Sequence, residues 1–260
     1  MHQTFTITEI HIENYRTKTF IFDKSLPDAQ PGQYVMAWLP DVGEKPFSIA
    51  GNDPLAFMVV AVGPFSKALH WLNVGARVWV RGPLGQGFAL RGRHHLLVGG
   101  GYGVAPLLFL ARTALAAGHT VEVCIGARTA EDVLLAGAFE KEAVSNQRSA
   151  VSPFIVVRVT TDDGSTGEKG LVTQAVEAAI AARRPDCIYA CGPIPMLTAL
   201  ARLCQEHNLP HQFSWEAHLR CGLGICGSCE LDAQTRQVAN IPAGWLVCKD
   251  GPVRIMIHES

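Results

Sequence analysis

Apolar and polar residues change rhythm twice along the chain. FTITEIHI and TKTFIF alternate with period two, the pattern of strands with one buried face. QYVMAWLP, PLAFMVVAV and ARVWVRGPLG follow, separated by Pro and Gly turns. Short antiparallel strands at this spacing predict a small β-barrel over residues 1–91, with one short helix near SKALHWLNV. Over residues 92–204, HHLLVGG, TVEVCIGA, FIVVRVTT and CIYACG read as strands. APLLFLARTALAAG, EDVLLAGAFEKEAV, LVTQAVEAAIAARR and PMLTALARLCQEH read as the helices between them. That alternation predicts a parallel sheet with helices on its faces. Residues 205–260 are short-patterned, rich in turns and cysteine-bearing. A segment this small has little core of its own, so a bound metal would help it hold shape. The predicted fold class is mixed β and α/β: a barrel, a parallel-sheet domain and a small C-terminal domain.

Composition narrows the function classes. The chain has 260 residues, 48% of them hydrophobic, and a formal net charge of −1. Near-neutral charge gives no reason to expect nucleic acid or an anionic membrane as partner. No apolar run approaches the roughly 18 residues of a membrane span. MHQTFTITEI lacks the basic start and apolar stretch of a signal peptide, so a cytoplasmic location is expected. In that setting the 8 cysteines point to metal binding or catalysis rather than disulfides. Cys124 and Cys187 lie in apolar runs and read as small buried hydrophobes, and Cys204 as an ordinary helix residue.

The stretch HLRCGLGICGSCEL carries the strongest signal. Its spacing is Cys221-x4-Cys226-x2-Cys229, with Cys248 following well downstream. Three close thiolates and one distant one form the plant-type ligand pattern of a [2Fe–2S] cluster. Gly222, Gly224 and Gly227 let such a loop wrap sulfide ions and aim N–H groups at them. Structural zinc is the competing reading, although zinc sites usually pair two short Cys hairpins. Thiols without metal are the remaining one.

Two further patterns suggest nucleotides. LLVGGGYGVAPLLF puts Gly99, Gly100, Gly101 and Gly103 between a strand and a helix, with Pro106 in the first helical turn. A helix start of this kind suits a pyrophosphate, although the dinucleotide fingerprint is only partly met. YACGPIPML places Cys191 and Gly192 at the carboxyl edge of the same sheet, where such sheets bind ligands. In the barrel, EKPFSIAG offers a cation and a hydroxyl, Lys45 and Ser48, to a second pyrophosphate. The plain alternatives are a ligand-free βα turn and a solvated lysine beside an exposed serine. The glycines of GPLGQGF read as linker chemistry. His94 and His95 precede the strand and read as surface residues, and no catalytic triad or carboxylate pair stands out.

Taken in order, K-P-x-S, G-P-L-G-x-G-F, G-G-G-x-G-x-A-P, C-G-P and C-x4-C-x2-C…C resemble the ferredoxin-reductase superfamily. TTDDGSTGEKGLVT and LVCKDGPV narrow the resemblance to the electron-transfer subunits of NAD-dependent dihydroorotate dehydrogenase B. The resemblance spans nearly the whole chain. It implies FAD on the barrel, held by Lys45, Pro46, Phe47, Ser48, Met58, Val59, Val60, Phe65 and Ser66. It implies NAD over Gly99, Gly100, Gly101 and Gly103, with Cys191 and Gly192 near the nicotinamide. It implies a [2Fe–2S] cluster on Cys221, Cys226, Cys229 and Cys248. Lys45 stands where arginine is commoner, and lysine has no bidentate fork for phosphate. Gly63-Pro64-Phe65-Ser66 likewise stands where a G-x-G-T-like turn is commoner. The implied partner is an FMN-containing dihydroorotate dehydrogenase catalytic subunit, two of each in the complex. Related chains serve instead as NAD(P)H–ferredoxin reductases or as diaphorase subunits, and a zinc-stabilised binding module is a third reading. Arg128 follows the second strand and no acidic residue marks NAD over NADP there, although the family favours NAD.

Overall fold

The computed structural model describes residues 2–145 and 155–256. The first six strands close a barrel: β1 (Gln3–Asn14), β2 (Thr17–Phe22), β3 (Tyr34–Leu39), β4 (Gly43–Asn52), β5 (Leu55–Val60) and β6 (Arg77–Leu84). Every neighbouring pair is antiparallel, in the order β1-β2-β5-β4-β3-β6, which leaves no edge strand open. Phe5, Phe20, Phe22, Val35, Phe57 and Val59 fill the interior. The predicted short helix is α1 (Pro64–His70), set between β5 and β6.

The second unit is a sheet of seven strands. β7 (His94–Gly100), β8 (Thr120–Ala127), β9 (Ile155–Thr161), β10 (Glu168–Lys169), β11 (Cys187–Cys191), β12 (His211–Ser214) and β13 (Val253–Met256) pair in the order β10-β9-β8-β7-β11-β12-β13. All pairings are parallel except β12 with β13. The helices are α2 (Val104–Ala116), α3 (Ala136–Ser145), α4 (Val172–Ala182) and α5 (Ile194–Glu206). Strand residues alternate between two cores. Leu96, Val98, Cys124, Ile188 and Ala190 join α4 and α5. Leu97, Val121, Val123, Ile125 and Tyr189 join α2 and Phe139 of α3. Burial on both faces explains why these strands read as continuous apolar runs. Cys124, Cys187 and Cys204 are fully buried, as expected of small hydrophobes.

The chain order of the sheet reverses between β7 and β11, which opens a crevice at their carboxyl ends. The sheet also runs on past residue 204. β12 and β13 extend it, and the cysteine-bearing segment is inserted between them. That segment adds α6 (Ala233–Val238) and shares a core with the sheet through Trp215, Leu231, Ile241, Trp245 and Val247.

His94 and His95 are not surface residues. They begin the central strand β7, where His94 is 7% exposed and His95 is fully buried. His94 Nδ1 meets the Thr120 hydroxyl at 3.1 Å, and His95 Nε2 meets His119 Nδ1 at 2.9 Å. The His95 Nδ1 has no hydrogen-bond partner among the described residues. Burial, and next His119, hold the His95 imidazole down to about 4. The unfolded chain takes up that proton near 6.5, so stability is lost as pH falls from about 6.5 toward 4. The loss reaches on the order of 3 kcal/mol at the bottom of that window. His95→Phe should flatten the melting-temperature profile over that range relative to wild type. Parallel profiles for the two proteins would show that His95 contributes no such linkage.

Candidate functional site at the barrel and sheet crevice

Strands β4 and β5 turn Pro46, Phe47, Ser48, Met58 and Val60 toward a mostly apolar cleft of about 310 Å³. The opposite wall is the crevice edge of the sheet: Tyr102, Gly103 and Ala105 after β7, and Cys191 ending β11. Ser214, Trp215, Glu216, Ala217 and Leu219 close one end, with Val247 and Pro252 from the C-terminal segment. All three parts of the fold therefore meet at one pocket of ligand size.

Gly103 explains why the turn after β7 and the end of β11 stand so close within that wall. A Cβ there would lie 2.2 Å from the Cys191 carbonyl oxygen and 2.4 Å from its carbon. Gly100 and Gly192 touch similarly: a Cβ on Gly192 would stand 3.0 Å from Gly100 Cα. Helix α2 begins at this contact, so its unpaired N–H groups and positive dipole end lie at the carboxyl edge of the sheet.

The other residues from the sequence reading fall in different surroundings. Lys45 is exposed on β4 and does not line the cleft. Val59 faces the barrel interior, fully buried. Phe65 is buried, its ring 6.0 Å from that of Phe47. Phe47 also stacks on Phe57 at 5.1 Å and 11°. The Ser66 hydroxyl caps α1: it accepts N–H groups from Val62 and Gly63 at 3.0 and 2.9 Å and donates to the Gly63 carbonyl. Gly99, Gly100, Gly101 and Gly192 form the sheet edge behind the lining residues. Arg128 is exposed just past the end of β8.

Sequence reasoning missed Tyr34, Tyr102 and the Ser214–Glu216 stretch. Tyr102 lay unremarked inside the glycine turn, and nothing local marks Tyr34. The Tyr102 hydroxyl donates to Glu216 Oε2 at 2.7 Å across the cleft. Burial lifts the Glu216 carboxyl above its usual range, and the Tyr102 bond opposes that only in part. Burial pushes the Cys191 thiol up to about 12, with Glu216 adding to the shift. Cys191 is therefore a neutral wall, not a nucleophile.

The four cysteines of the C-terminal segment come together from both ends of it. Gly222, Gly224 and Gly227 have φ of +63°, +76° and +70°, and they bend the loop around its own sulfurs. The Leu223 N–H reaches Cys221 Sγ at 3.4 Å, and the Gly224 N–H reaches Cys248 Sγ at 3.2 Å. Cys226 Sγ lies 3.1 Å from the Ser228 hydroxyl. The Leu223 N–H and then that of Cys226 hold the Cys221 thiol down to about 6. Ser228 lowers Cys226. Burial, and next Cys229, push Cys248 up to about 12. The thiols are paired, Cys221 with Cys226 and Cys229 with Cys248. No three such ligands converge on one ion-sized point among the described residues. A two-iron core takes two thiolates on each iron. The paired thiols and inward N–H groups fit the two-iron core.

Residues 97–202 match the oxidoreductase NAD-binding domain, and residues 216–255 match the iron–sulfur cluster binding domain of dihydroorotate dehydrogenase B. A solved NADH-dependent reduced ferredoxin–NADP oxidoreductase, described for flavin-based electron bifurcation, superposes with a TM-score of 0.80 at 27% identity. That superposition covers 96% of this chain and 87% of the other. A ferredoxin reductase of carbazole 1,9a-dioxygenase shares the fold at a TM-score of 0.66, 24% identity, over 82% of this chain and 68% of its own. Barrel, sheet and cluster segment thus define an oxidoreductase of the ferredoxin-reductase fold, with FAD, NAD and an iron–sulfur cluster as its cofactor set. A Thermococcus kodakarensis protein is 39% identical over 97% of this chain and 96% of its own length. One from Methanocaldococcus jannaschii is 38% identical over 95% and 87%. Both are named "Probable dihydroorotate dehydrogenase B (NAD(+)), electron transfer subunit". The chain belongs to this family of dihydroorotate dehydrogenase B electron transfer subunits.

Two outcomes test the cleft. Gly103→Ala should cost about 1–3 kcal/mol in thermal or denaturant unfolding, because only backbone movement relieves its clash. An unchanged melting temperature would refute the close contact. Glu216→Gln should raise the melting temperature more at pH 8 than at pH 5, because a carboxyl with a raised folded pKa loses stability as pH rises through it. An equal effect at both pH values would count against a raised pKa.

Proposed function

We propose that this chain passes electrons from an FMN-containing dihydroorotate dehydrogenase catalytic subunit through [2Fe–2S] and FAD to NAD+, in the cytoplasm and in the service of pyrimidine synthesis. The assembly is two of each subunit. The observation that carries the reading is the cleft itself, where barrel, nucleotide-binding sheet and cluster segment all contribute walls. When bound, a flavin exchanges two electrons with nicotinamide as a hydride and single electrons with an iron–sulfur centre.

The protein supplies placement. Pro46, Phe47, Ser48, Met58 and Val60 shape the flavin wall, and Val59 acts only through its backbone. Lys45 would supply the cation for the FAD pyrophosphate, and Phe65 and Ser66 would order the α1 turn that supports the flavin side. Gly99, Gly100, Gly101 and Gly103 bring the nucleotide's phosphates to the start of α2. Cys191 and Gly192 bound the nicotinamide side; a neutral thiol there adds no charge to a hydride path. Cys221, Cys226, Cys229 and Cys248 hold the cluster.

A ferredoxin reductase role is the second reading, favoured by the 27% identical oxidoreductase of the same fold. The higher identity to dihydroorotate dehydrogenase B subunits outweighs it. Anaerobically purified protein should carry about two irons, two sulfides and one FAD per chain. Mixed with the catalytic subunit, it should give dihydroorotate-dependent NADH formation and elute as a two-plus-two complex. A loaded protein that reduces ferredoxin with NADH but yields no such NADH formation would transfer the assignment to the second reading.

A further inference from the structure

The cluster loop is not held by its own segment alone. Arg81, on β6 of the barrel, donates from Nη2 to the Cys221 carbonyl at 2.6 Å. The same guanidinium forks onto Glu44 of β4, with Nε and Nη2 at 2.7 and 2.9 Å from the two carboxylate oxygens. His2 approaches Glu44 Oε1 at 2.8 Å. The Arg81 and Glu44 side chains are only 14% and 22% exposed, so solvent screens the pair weakly. Burial would lift the Glu44 carboxyl, but its hydrogen bonds from Arg81 and His2 outweigh that and keep it ionised.

Arg81 also lies against the glycine that follows Cys221. A Cβ on Gly222 would stand 3.2 Å from its Nη2, so the guanidinium lies directly against the loop. Tyr34 secures the other ligand segment, donating its hydroxyl to the Cys248 carbonyl at 2.8 Å. Two barrel side chains thus grip one peptide group at each end of the cysteine set. Only Arg81 brings a charge to that grip, and Glu44 reaches Cys221 only through the guanidinium.

Resting on the electron-transfer reading above, we infer that Arg81, oriented by Glu44, is a positioning residue that fixes the cluster loop on the barrel and raises the reduction potential of the cluster held there. The step concerned adds one electron to the two-iron core. No bond is made or broken, and the site gains one negative charge. Charge and hydrogen bonding around the ligands set such potentials. A fixed cation favours the reduced form, and a fixed anion opposes it.

The test is an EPR-monitored redox titration of anaerobically prepared, iron- and FAD-loaded protein: wild type, Arg81→Met, Arg81→Lys and Glu44→Gln. Arg81→Met should lower the potential by about a tenfold change in the one-electron equilibrium, ~59 mV. Glu44→Gln should raise it, and Arg81→Lys should change it least. A purely mechanical grip would move Arg81→Met and Glu44→Gln in the same direction or not at all, and either result overturns the inference. Should Arg81→Met fail to retain iron, the remaining pair decides: a rise in Glu44→Gln supports the inference, and its absence overturns it. A wild-type protein with no reducible cluster signal would bring down the electron-transfer reading itself, and this inference with it.

Discussion

The backbone contact between Gly103 and Cys191 is the constraint on which the rest of the site depends. It lies where the strand order reverses, between β7 and β11. With no side chain on Gly103, helix α2 starts hard against the end of β11. From there α2 packs along the barrel, and its Phe109 joins the apolar cluster built around the barrel core. One glycine therefore sets how closely the start of α2 sits against the end of β11, on the wall that faces the barrel.

The C-terminal segment is held by a related economy. It has no separate core; Trp215 and Trp245 pack into the core that β11, α4 and α5 already share. A buried tryptophan contributes roughly 4–6 kcal/mol by area, so these two side chains alone offset much of the cost of ordering a turn-rich segment. The sheet anchors both ends of the insertion through β12 and β13.

What the sequence made legible follows from what is local. Period-two runs revealed barrel strands, and apolar runs with glycine ends revealed the parallel sheet. The cysteine spacing pointed to the iron–sulfur segment that the family match covers, because its four cysteines lie on two short segments. The misses are all matters of topology. His94 and His95 look polar, and only their place on the central strand buries them. Residue 204 looked like a boundary because the pattern changes there, yet β12 and β13 return to the sheet. The motif also does not show that Val59 turns its side chain to the barrel core and Ser66 its hydroxyl to the start of α1. Tyr34 and Arg81 sit in ordinary strands, far along the chain from the cysteines whose carbonyls they bind.

The two halves of the site differ in how they treat charge, and the difference follows from burial. In the cleft, desolvation raises Cys191 and Glu216, so the walls favour neutral forms. At the loop, backbone N–H groups stabilise anionic sulfur at half-buried Cys221, and a guanidinium lies beside its peptide group. A neutral apolar slot suits a ring that must meet another ring with water kept out. A donor-rich loop suits a centre that gains one negative charge with each electron. The same short stretch, from Ser214 to Cys221, runs from the first environment into the second. The fold thereby keeps the slot and the loop adjacent while giving each its own electrostatic surroundings.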